Sequence, residues 1–61
     1  MKLHDVPDNT LIDVSGLNLK NDEGNQVKTL LFHYINGMYS HCTHGDDVVF
    51  LSASTDVEII E

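Results

Sequence analysis

Apolar residues in this chain come in short runs broken by turn signals, and no run repeats at helical 3.6-residue spacing over three turns. The first run covers residues 10–15, where Leu11, Ile12 and Val14 flank Asp13, and Gly16 ends it. Residues 18–26 hold Asn21, Asp22, Glu23, Gly24 and Asn25, a loop composition. Residues 27–35, 38–43, 48–52 and 57–60 are rich in β-branched, aromatic and other apolar side chains. The pattern predicts one all-β domain of about five strands with a long loop after the first. Pro7 biases Val6 away from helix, so residues 1–9 are expected to form an extended lead-in. Ser52-Ala53-Ser54-Thr55 suits a single 3₁₀ turn before the last strand.

Two turn signals set an expected register. Asn36-Gly37 meets the demand of a type I′ turn for two residues of positive φ. As the centre of a two-residue turn, it sets Tyr34 against Tyr39, Phe32 against His41 and Leu31 against Cys42. Gly45-Asp46 has the Gly-first order of a type II′ turn, which sets His44 against Asp47, Cys42 against Val49, His41 against Phe50 and Ser40 against Leu51. Side chains alternate between the faces of a strand. One face then carries Leu31, Ile35, Met38, Cys42, Val49 and Leu51, with His33 and Ser40. The other carries Leu30, Phe32, Tyr34, Tyr39, His41, Val48 and Phe50, including all four aromatic residues of the chain.

A domain of this size has one core, so one of two apolar faces needs cover from elsewhere. The aliphatic face is assigned to the interior, because a small core suits Leu, Ile, Val, Met and Cys better than four rings. Leu30, Phe32, Tyr34, Tyr39, His41 and Phe50 are thereby expected on an outer, partner-binding face. The alternative buries the rings and packs the aliphatic face under the long loop and termini. A one-residue slip of register would exchange faces on a strand.

Charge narrows the partners. Ten Asp and Glu against three Lys, with no Arg, give a net charge of −7. Direct binding to a nucleic-acid backbone needs clustered Lys or Arg, so no nucleic-acid ligand is expected. The acidity serves solubility, or lets carboxylates mimic a polyanion. No apolar run reaches the ~20 residues of a membrane-spanning helix. Met1-Lys2-Leu3-His4-Asp5 lacks the apolar stretch of a signal peptide, and a cytoplasmic location is expected. Cys42 is the only cysteine, so no intrachain disulfide supports this small core. Association with further chains is the expected source of extra stability.

Candidate chemistry is sparse. His33, His41, Cys42 and His44 are metal-ligand residue types, but His41 and Cys42 are strand neighbours that point to opposite faces, and no C-x-x-C pair completes a closed site. No metal or other cofactor is expected. Cys42 as a nucleophile would need an adjacent base, an orienting residue and a pocket. A small buried hydrophobe is the simpler role, and no enzyme activity is expected. His41, between Phe32 and Phe50 in this register, either packs with a polar tip or makes association sensitive to pH.

The order of strand, long loop, three-strand meander, short turn and strand resembles the SH3-like small barrel. The resemblance implies the fold only. The chain has no Trp and no Ala-Leu-Tyr-Asp-Tyr-like segment, so proline-peptide recognition is not implied. It also lacks the basic surface of the RNA-binding barrels. The segment from Phe32 to Cys42, with Val49 to Thr55 after it, is similar to short accessory proteins of tailed bacteriophages, which implies action on host or phage machinery within the host cytoplasm. The expected function is a small acidic protein–protein interaction module, homo-oligomeric, acting through its aromatic sheet face. The alternative is an acidic, nucleic-acid-mimicking inhibitor of a host enzyme.

Overall fold

A computed structural model describes residues 1–60 as an all-β fold without α-helix. Seven strands form: β1 Thr10–Asp13, β2 Leu19–Lys20, β3 Gln26–Val27, β4 Thr29–Asn36, β5 Tyr39–His44, β6 Asp47–Ser52 and β7 Glu58–Ile59. Five make one antiparallel sheet in the order β6-β5-β4-β1-β7, and β2 and β3 pair separately as a hairpin inside the long loop. The 3₁₀ turns fall at Leu3–Asp5 and Ser15–Leu17. The segment before β7, expected to be 3₁₀, instead closes a turn in which the Thr55 N–H donates to the Ser52 carbonyl at 2.9 Å.

Both meander turns have glycine as the first central residue. Gly37 has φ +66° and Gly45 has φ +60°, whereas Asn36, Met38 and Asp46 do not take positive φ. Positive φ at that position alone marks type II′ geometry. The β5–β6 pairs run as expected, from His44 opposite Asp47 to Ser40 opposite Leu51. The β4–β5 turn, expected to centre on Asn36-Gly37, centres on Gly37-Met38 and pairs Asn36 with Tyr39. Moving a turn by one residue shifts the register sum by two, so the strand side chains keep their faces, but Met38, expected inside, falls in the turn and is 80% exposed.

A bulge in β4 changes the faces. Tyr34 opposes His41 and Phe32 opposes Cys42, which leaves His33 as an extra residue without a counterpart. One extra residue inverts the alternation beyond it. Phe32 and Leu30 therefore join Cys42 in the interior. The His33 carbonyl accepts a 3.2 Å bond from the Asn9 N–H, so this irregular stretch keeps a backbone partner.

The core comprises Leu3, Val6, Ile12, Val14, Val27, Leu30, Phe32, Cys42 and Val57, with Leu17, Leu19, Ile35, Val49 and Leu51 packed against it. It mixes the two predicted faces. The N-terminal segment is part of this core. The Leu3 and His4 N–H groups donate to the Thr55 and Ala53 carbonyls, and the Val57 N–H donates to the Met1 carbonyl at 2.7 Å. These bonds hold Leu3 fully buried. The expected lead-in is thus a plug across the open side of the sheet.

Candidate interaction face

The strand pairings arrange the sheet's outer face in rows. Across β4, β5 and β6, Asn36, Tyr39 and Ser52 make one row and Tyr34, His41 and Phe50 the next. A third row runs from Leu11 in β1 through Leu31 and Thr43 to Val48. Phe50 is 65% exposed, Tyr39 59% and Tyr34 45%, and Leu11, Leu31 and Val48 are exposed as well. These rows carry no Asp, Glu, Lys or Arg. Asp13 and Glu58 pair at the far side of the sheet, beyond the rings.

The rings are mutually ordered. Tyr34 and His41 stack with centroids 5.1 Å apart and planes 4° apart. Phe50 meets the other side of the row edge-on to His41 at 5.5 Å, and His33 does the same from the bulge at 5.5 Å. His33 Nε2 shares a 2.8 Å hydrogen bond with Thr43 Oγ1. The bulge therefore brings His33 against His41, adding a ring to a face that simple alternation would have denied it. Tyr39 and Phe50 border a shallow depression with Asn36 and Ser40.

Of the six residues expected on the partner-binding face, Tyr34, Tyr39, His41 and Phe50 come together there. Leu30 and Phe32 do not: they are 1% and 0% exposed, because the bulge turns them inward. Leu31, expected inside, lies outside for the same reason, and Leu11 joins it across the β1–β4 pairing. His33 is the one polar residue in the apolar run 30–35, and that break was the available signal for the bulge.

The remaining candidates serve structure. Cys42 is buried, and burial pushes its thiol above the ordinary value, against a weaker opposing pull from the Ser40 hydroxyl. Ser40 Oγ lies 3.5 Å from Cys42 Sγ and donates to the Leu51 carbonyl at 3.0 Å. A thiol of raised pKa is poorly nucleophilic at neutral pH. His44 Nδ1 donates to the Thr29 carbonyl at 3.2 Å, tying β5 to β4. Among the described residues, no three His, Cys, Asp or Glu side chains gather at metal-ligand spacing. No described helix is long and apolar enough to cross a membrane.

Two carboxylates have intramolecular roles. The Ser15 N–H donates to Asp13 at 2.8 Å and lowers its pKa. The Lys2 ammonium donates to Asp56 at 2.9 Å, and that hydrogen bond, then the Lys2 charge, holds the Asp56 carboxyl below its usual range. No family model, curated protein or solved structure matches this chain.

Proposed function

We propose that this protein is a small acidic protein–protein interaction module, homo-oligomeric, that engages a protein partner through the outer face of its sheet. The observation that carries this reading is the outer-face array without Asp, Glu, Lys or Arg in which Leu11, Leu31, Tyr34, Tyr39, Val48 and Phe50 are exposed around half-buried His41. Exposed apolar patches of this kind mark interaction sites, and Tyr and Phe are enriched at interface centres. The strand order and the hairpin-bearing loop after β1 support an SH3-like arrangement as the scaffold. A phage accessory role in the host cytoplasm rests on the segment likeness described above.

A face-mediated role is favoured over the acidic mimic because Asp56 is engaged by Lys2 within the chain, while the strand pairings gather exposed apolar side chains into rows on one face. A mimic would bind more weakly as salt rises. The test is capture from a bacterial lysate by the native chain and by a Tyr39→Ser, Phe50→Ser double variant of equal thermal stability. The captured protein should be lost with the variant. Equal capture by both would overturn the reading.

A further inference from the structure

We propose that two copies of this chain pair antiparallel along β6 about a two-fold axis at Val49, with Val48 of each copy opposite Phe50 of the other. This rests on the interaction-module reading and specifies where copies of the chain meet.

β6 is an edge of the sheet. The hydrogen-bonded pairs of the β5–β6 hairpin alternate from its two-residue turn, so Asp47, Val49 and Leu51 bond to β5. The Ala53 N–H, which donates to the Met38 carbonyl at 2.9 Å, continues the same alternation. The N–H and C=O groups of Val48 and Phe50 therefore point away from the sheet, and no described backbone group pairs with them.

Natural edges are blunted by Lys, Pro, bulges or short length. β7, the opposite edge, is two residues long and includes Glu58. β6 is six residues long, with no Lys, Pro or bulge, and its centre reads Val48-Val49-Phe50-Leu51. That sequence is suited to pairing with another strand.

Self-complementarity selects the occupant and the register. With Val48 opposite Phe50 of the second copy, the outward N–H and C=O groups of Val48 and Phe50 in the two copies, four of each, become available to one another. Sliding to Phe50 opposite Phe50 would set Val48 against Ser52, replacing both aromatic–β-branched pairs by apolar–polar ones. In the chosen register Phe50 lies beside Val48 of the second copy on the outer face, an aromatic–β-branched pair on each side of the axis.

Charge agrees with this geometry. Each copy carries −7, so two copies can meet closely only where carboxylates stay apart. Residues 48–55 contain no charged side chain. Antiparallel pairing sets Asp47 opposite Leu51 and separates the two Asp47 residues by about 13 Å, at ~3.3 Å per residue. That exceeds the screening length of about 8 Å at physiological ionic strength. Parallel pairing would stack Asp46 and Asp47 on their counterparts.

The test combines solution mass with cysteine cross-linking. Light scattering should give the native chain twice its 6.8 kDa mass. Val49 pairs with itself across the axis at a non-hydrogen-bonded position, where a Cα separation of about 4.5 Å suits a disulfide. In a Cys42→Ala background, which removes the thiol directly opposite Val49 in the same chain, Val49→Cys should therefore oxidise to a disulfide-linked dimer, and Tyr39→Cys, on the outer face away from the edge, should not. Val48→Lys, at an exposed position, should halve the mass with an unchanged circular dichroism spectrum. A monomeric native chain, or cross-linking through Tyr39→Cys in place of Val49→Cys, would overturn the edge pairing. Loss of partner capture by the Tyr39→Ser, Phe50→Ser variant alongside a monomeric native chain would overturn the pairing and leave the face reading standing.

Discussion

The Tyr34 ring lies parallel to the His41 imidazole, 5.1 Å between centroids, across the β4–β5 pairing just past the bulge. This pairing sets the centre of the outer face, because Phe50 completes the row from the other side. Tyr34 is exposed and His41 half-buried on the outer face, so their contact organises that face more than it stabilises the fold. A double-mutant cycle with Tyr34→Ala and His41→Ala should give a coupling at the lower end of about 0.5–1.5 kcal/mol. Denaturant unfolding measures it, and a zero coupling would contradict the stack.

Phe32 and Phe50 should respond in opposite ways to truncation. Phe32 is fully buried among the core residues, and Phe32→Ala should cost about 3–5 kcal/mol of stability. In a domain near the lower size limit this approaches the whole margin. Phe50→Ala, at an exposed position, should stay within about 0.5 kcal/mol in the monomer. Chemical denaturation of the two variants at equal, low protein concentration checks the contrast.

The β4–β5 turn yields a separate test. Gly37 takes φ +66° at the first central position, so Gly37→Ala should destabilise by about 1–2 kcal/mol. Asn36 belongs to the strand and pairs with Tyr39, so Asn36→Ala should be close to neutral. A turn centred on Asn36-Gly37 would instead make both substitutions costly. Thermal melts of the two variants separate the alternatives.

Acid should loosen the N-terminal plug. Lys2 holds Asp56 below the usual carboxylate range, and the bridge between residues 2 and 56 sits beside buried Leu3. A lowered folded-state pKa contributes stability that is fully present above the unfolded value, about 3.9, and is lost as pH falls through the folded value. The pair is exposed, so the effect is small. Asp56→Asn should melt slightly below the native chain at neutral pH, and the two should converge below the folded value. A difference that persisted at the lowest pH would contradict the ion-pair origin.

Much of this architecture was legible in the sequence, and the exceptions have identifiable physical causes. Gly45-Asp46 set every β5–β6 pair from His44–Asp47 to Ser40–Leu51, because a two-residue loop leaves no freedom of register. The β4–β5 turn was displaced by one residue, a shift that preserves the faces of the strands and misplaces only Met38, which the turn exposes. The placement of Phe32 and Leu30 failed because a bulge is decided by tertiary fit and leaves only a faint local mark, here His33 within an apolar run. The inward role of Leu3 and Val6 was hidden for a similar reason. The segment that carries them is held by bonds from Leu3 and His4 to residues 53 and 55, some fifty positions away, and local pattern does not carry that pairing. Tyr34, Tyr39, His41 and Phe50 were placed on one face because they lie on the turn side of the bulge, where alternation holds.

The most direct measurement of the central claim is hydroxyl-radical footprinting of the chain alone and in complex with the protein it captures. Tyr34 and Tyr39 should be strongly oxidised in the free chain and protected in the complex, with Met1 unchanged. Undiminished oxidation of both tyrosines, with protection appearing at Met1 or along β2 and β3, would contradict a partner seated on the outer sheet face.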